Sequence, residues 1–113
     1  MTLPSFDIEV HRTGRVVRLA LRGELDLANK ERFEHAVAEV AGIPDLHLVV
    51  DLRQLGFMDS TGLRTLVLAA QEAERDGWSF SIVRGPAPIA RLLEISGLEQ
   101  HLPLVDEPPP GTP

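Results

Sequence analysis

The chain has no cysteine among its 113 residues, which excludes a disulfide framework, a thiolate zinc site and a cysteine nucleophile together. That absence suits a reducing compartment, and cytoplasm is the expected location. No apolar run is long enough for a bilayer: the densest, Leu66 to Ala70, is far shorter than the ~20 residues a membrane helix needs. The stretch Met1 to Asp7 has neither a basic start nor an apolar core, so no secretion signal is expected there. Lysine occurs once, at Lys30, and the 11 basic residues are scattered singly, offering no patch to a phosphate backbone. Neither nucleic acid nor a membrane is therefore expected as a partner. The formal net charge of −6 makes a basic protein surface the more natural complement. No internal repeat is visible.

What is present reads as one ordinary globular domain, with 43% hydrophobic and 25% charged residues. Phe6, Ile8 and Val10 alternate with polar residues, Thr13-Gly14 supplies a turn, and Val17, Leu19 and Leu21 alternate again, which predicts a hairpin. The period then changes. Phe33, Ala36, Val37, Val40 and Ala41 fall at helical spacing, predicting a helix from about Asn29 to Ala41 with Gly42 as its stop. Leu46 to Leu52 is short and rich in branched residues, as a strand buried on both faces would be. A second helix carries Leu63, Leu66, Val67 and Ala70 on one stripe and ends at Gly77. Trp78 to Val83 reads as a strand, and Ile89, Leu92 and Leu93 as a short helix closed by Gly97. Leu102 to Val105 reads as an edge segment interrupted by Pro103.

The fold class expected is α/β: a mixed sheet with helices packed on it, in the order β-β-α-β-α-β-α with an edge strand at the end. The domain spans 1–107, and the Pro-rich segment 108–113 is expected to be a mobile, extended tail. Loops carrying Asp26, Asp51 and Asp59-Ser60 should meet at the carboxyl edge of the strands, where binding sites form.

Asp59-Ser60-Thr61-Gly62-Leu63 is the segment with the most chemistry. A serine opening a helix can cap an unpaired backbone amide, a structural role worth about 1 kcal/mol. The same position can also hold a phosphate, because the free amides and dipole of a helix amino terminus stabilise negative charge. Gly62 removes side-chain bulk beside Ser60 and favours access by another protein. Asp26 and Asp51 have plain structural readings as well, the first starting a turn into the first helix and the second ending a strand.

The run Phe57-Met58-Asp59-Ser60-Thr61-Gly62-Leu63, preceded by Val50-Asp51-Leu52, resembles the signature of bacterial anti-sigma-factor antagonists, which have the STAS fold. Gly23-Glu24-Leu25-Asp26-Leu27 is similar to that family's second marker, and Leu92 to Leu98 to its closing helix. The resemblance spans about Phe6 to Val105. It implies a non-enzymatic regulator in a partner-switching cycle: the unmodified antagonist binds an anti-sigma factor that is also a serine kinase and frees a sigma factor. Ser60 would be the phosphate acceptor, with Thr61 a minor alternative, and a separate serine phosphatase would reset it. Asp26, Asp59, Ser60, Thr61, Gly62 and Leu63 would form the partner-binding segment. No cofactor is expected on this chain, and ATP would belong to the partner kinase.

Enzyme chemistries fit less well. A receiver-type phosphoaspartate site at Asp51 would need a lysine after a late strand, and Lys30 lies in the first helix. A serine-hydrolase elbow would need glycine where Met58 stands. His101 is the sole histidine after Ser60, the remaining His11, His35 and His47 show no paired ligand spacing, and no phosphate-binding Gly-x-x-x-x-Gly-Lys loop occurs. The alternative from another class is an accessory or scaffold subunit of a transport or stress-signalling complex, built on the same fold.

Overall fold

The computed structural model describes residues 6–113. The first five residues, where the expected domain begins and where most of the stretch read for a secretion signal lies, fall outside the described residues. The alternating segments form an antiparallel hairpin of β1 (Phe6–Thr13) and β2 (Val16–Leu25), with Ile8 opposite Leu21 and Val10 opposite Leu19. α1 (Lys30–Val40) buries Phe33 and Val37. Gly42 is not its stop: Ala41 closes the helix in a right-handed conformation, and Gly42 is not among the left-handed glycines.

β3 (His47–Asp51) lies parallel to the first half of β2 and at the centre of the sheet. Leu48, Val49 and Val50 are all buried, as a strand covered on both faces requires. The sequence reading missed the next strand, β4 (Leu55–Met58), which pairs in parallel with the far half of β2. Leu25 faces Met58 there, across a register shift between Gly23 and Glu24. β3 and β4 thus share β2 end to end. α2 (Ser60–Asp76) follows, then β5 (Ser79–Val83), α3 (Ala87–Ser96), a single 3₁₀ turn at Glu99–His101, and the short β6 (Leu104–Val105). Trp78, expected to start the strand, precedes it and is buried.

The sheet order is β1-β2-β3-β5-β6, with β4 beside β2 and only β1 antiparallel. α2 and α3 end as the sequence implies, at Gly77 (φ 77°) and Gly97 (φ 73°), a region glycine enters without a Cβ penalty. The core is the layer between one sheet face and the helices: Leu19, Leu21, Leu48, Val50 and Ile82 from the strands meet Phe33, Val37, Leu66, Ala69 and Leu93. Leu66 is fully buried, while Val67 is half-buried at the margin of this layer. No helix among the described residues is long and apolar enough to cross a membrane.

The tail has contacts of its own. A turn at Pro109–Thr112 is closed by the Thr112 amide and hydroxyl, which donate to the Pro109 carbonyl at 3.1 and 2.6 Å. The backbone oxygen of Pro113 accepts from Nε of Arg18, on β2, at 2.7 Å.

Candidate functional site

Ser60 was expected to cap α2, but the cap is Asp59. Asp59 is extended (φ −99°, ψ −175°), and its Oδ1 accepts from the Gly62 amide at 2.9 Å while its carbonyl accepts from Leu63 at 3.0 Å. Ser60 is therefore the first helical residue, exposed to solvent, and among the described residues its hydroxyl makes no hydrogen bond. The amides of Ser60 and Thr61 remain as first-turn donors without intrahelical acceptors. Thr61 is half-buried, and its carbonyl accepts from the Thr65 hydroxyl at 2.9 Å.

Gly62 and Leu63, expected among the partner-facing residues, are buried instead. A Cβ on Gly62 would overlap the Leu25 carbonyl oxygen and stand 2.8 Å from Cγ of Met58. Glycine at this position lets the first turn of α2 press against the end of β2, and the Asp59 amide donates to the same carbonyl at 3.4 Å. Leu63 is 4% exposed and belongs to the core.

This contact brings the Asp26 loop beside the Ser60 turn, as expected. Oδ1 of Asp26 accepts from the Ala28 amide at 3.0 Å and from Nδ2 of Asn29 at 3.1 Å. Asn29, which sequence reasoning did not single out, is buried and also donates to the Glu24 carbonyl at 2.9 Å, fixing the loop from within. Its signal was faint, an asparagine before a helix, which reads equally as an N-cap.

Asp51 does not join Asp59. It lies on the sheet face away from the helices, where its carboxylate accepts from Nη2 of Arg53 at 2.7 Å, Nε of Arg53 at 2.9 Å and Nη1 of Arg18 at 3.3 Å. Burial acts to raise its pKa, but the hydrogen bonds from Arg53 and the charges of Arg53 and Arg18 outweigh this and hold it below the ordinary value. On the same face His47 contacts the Ser81 hydroxyl at 3.1 Å, and burial, with the charge of Arg15, depresses its pKa. No cluster of three metal-ligating side chains occurs among the described residues.

Around the Ser60 turn the surface is more apolar than its charges suggest. Leu27 (68% exposed) follows Asp26, and Phe57 (48%) precedes Ser60 by three residues. Beyond Phe57, a groove of about 290 Å³ between β4 and α3 is lined by Met58, Pro88, Leu92 and the exposed Ile95. The arrangement offers an accessible hydroxyl, an acidic rim and flanking apolar contacts, the elements of a protein-binding edge that can also accept a phosphate.

Comparison with known proteins bears on the chain as a whole. Residues 8–106 match the family described as "Mlab, STAS domain". The chain is 31% identical to an anti-sigma F factor antagonist of Paenibacillus polymyxa, over 88% of this chain and 85% of that protein. Among solved structures, an anti-sigma factor antagonist from Mycobacterium paratuberculosis superposes with a TM-score of 0.79 at 27% identity, covering 95% of this chain and 92% of that one. SpoIIAA of Bacillus, solved in its phosphorylated form, has the same fold, with a TM-score of 0.67 at 20% identity over 89% of this chain and 93% of that one.

Proposed function

Because this chain belongs to the STAS domain family, we propose that it works as an anti-sigma-factor antagonist. The unphosphorylated form binds an anti-sigma factor with serine kinase activity and so releases a sigma factor. Phosphorylation at Ser60 ends that binding, and a serine phosphatase restores it. The chain itself performs no catalysis, and ATP is held by the kinase.

The observation that carries this reading is the division of labour between two adjacent residues. Asp59 holds the helix start, so the Ser60 hydroxyl is exposed and can gain a phosphate while the cap stays in place. A phosphate there adds about −1.5 to −2 charges to an edge that already holds Asp59 and Asp26. Helix amides stabilise it locally, whereas the partner meets new charge and bulk at the centre of the interface. The switch needs no change of fold. The coarser inference, that an anti-sigma factor is the partner, is supported by what the relatives are called.

The test is reconstitution with a purified anti-sigma kinase and labelled ATP. Wild type should bind the kinase, accept one phosphate and dissociate, while Ser60→Ala should bind and stay bound. Incorporation that persists in Ser60→Ala would move the acceptor to Thr61 or elsewhere, and no binding by wild type would favour the accessory-subunit alternative.

A further inference from the structure

A family match that ends at residue 106 leaves the last seven residues unexplained, and they lie against a surface the Ser60 site does not use. Register places Arg18 and Ala20 of β2, His47, Val49 and Asp51 of β3, and Ser81 and Val83 of β5 on the sheet face opposite the helices. A helix-free face should be solvated, yet Val49 and Val83 are 0% exposed, and Ala20, Asp51 and Ser81 are buried as well. Something other than a helix covers them.

The two ends of the tail lie where such a cover would run. The tail leaves β6, at one edge of the sheet, and the backbone oxygen of Pro113 reaches Arg18 on β2. In the order β2-β3-β5-β6 the tail must cross β5 and β3 to get there, a distance of about 14 Å at the usual strand spacing. Residues 106–113 can span more than that even with a turn in the middle, since an extended residue covers roughly 3.3 Å. Pro108, Pro109, Thr112 and Pro113 are half-buried along this route. Charge ties both ends: Arg84 pairs with Asp106 at 3.0 Å where the tail starts, and Arg18 bridges Pro113 to Asp51 where it arrives. Glu107 adds its charge to the environment of Arg53, the second partner of Asp51.

We infer that the helix-free sheet face is a binding surface for an extended proline-rich segment, and that residues 107–113 of the same chain occupy it as a strap. Proline suits the role because its backbone is already restricted and has no amide to leave unpaired against the side chains beneath. The floor mixes buried Ala20, Val49 and Val83 with the Asp51 carboxylate and the Ser81 hydroxyl, and Arg18 and Arg53 stand beside it. A segment rich in proline, offering a backbone oxygen to Arg18, meets both.

The prolines give no amide signal, so Gly111 and Thr112 are the reporters in an NMR relaxation measurement on the intact protein. A docked strap gives these two amides order parameters close to the rigid value of about 0.85, whereas values below about 0.6 would overturn the inference. A second comparison uses the chain ended at Asp106. Amide signals of Arg18–Ala20, His47–Asp51 and Ser81–Val83 should shift on truncation, while those of α1 and the Ser60 turn stay in place. Adding the peptide Glu-Pro-Pro-Pro-Gly-Thr-Pro should move the strand signals back toward their positions in the intact chain. Superimposable strand signals with and without the tail would refute the strap, whatever the outcome of the kinase experiment. Arg18→Ala in the full chain should release Gly111 and Thr112 to high mobility without altering the Ser60 turn.

Discussion

At the scale of single residues, exposure separates a group that can change from one that must not. Ser60→Ala removes a hydroxyl with no partner, so its cost to folding should be small, within about 0.5 kcal/mol, as for other surface substitutions. Asp59→Ala removes the true cap and should cost about 1 kcal/mol, so thermal melts of the two variants would distinguish the assignments directly. Asp51 is the opposite case. Because its carboxyl titrates below the ordinary value of 3.8, its contribution to stability is fully present above that value and is lost as pH falls through its lower folded-state value. Asp51→Asn should lower stability at neutral pH by about 1.5–3 kcal/mol and flatten the acid limb of the stability curve, read from urea midpoints between pH 2 and 7. A wild-type acid limb in this variant would show that the Arg18 and Arg53 contacts contribute little.

Among the elements, α2 carries both the candidate site and part of the core, and two substitutions separate these duties. Leu66→Ala empties a fully buried position and should cost about 2–5 kcal/mol without touching the Ser60 turn. Gly62→Ala sets two effects in opposition. Alanine is the better helix former by about 1 kcal/mol, but its Cβ would collide with the Leu25 carbonyl, and such overpacking costs about 1–3 kcal/mol. The collision should win, giving a lower melting temperature and a displaced first turn. The elements legible in sequence were those with a sustained period: the Phe6 and Val17 alternations, the α2 stripe, and helix ends marked by Gly77 and Gly97. β4 was not legible, because it has four residues, a glycine at its second position and a buried-exposed-exposed-buried order that never alternates. The Ser60 turn was read as the candidate site, but the cap was assigned to the wrong residue, since aspartate and serine both cap helices and only the extended backbone of Asp59 decides between them.

For the whole molecule, the two depressed pKa values act in the same direction. His47 sits below 6.5, so between that value and its own the unfolded chain binds more protons than the folded one, and acidification destabilises the protein. Stability should therefore decline as pH falls below 6.5 and again below 3.8, the first decline reduced by His47→Gln and the second by Asp51→Asn; a His47→Gln curve that keeps the full wild-type decline below 6.5 would contradict this. The division of β2 between two neighbours has a further effect. Its first half is paired on both sides, with β1 and β3, whereas at its far end, among the described residues, β1 reaches only to Gly23, and β4 pairs Glu24 and Leu25 across a register shift. Amide hydrogen exchange should consequently show β4 opening in brief, sub-global excursions at a lower free energy than β3. Such an opening would loosen the hold of the Asp59 amide on the Leu25 carbonyl, the contact that seats the first turn of α2. Four residues of sheet therefore set how firmly the Ser60 turn is held, a mechanical tie that the helix itself does not supply.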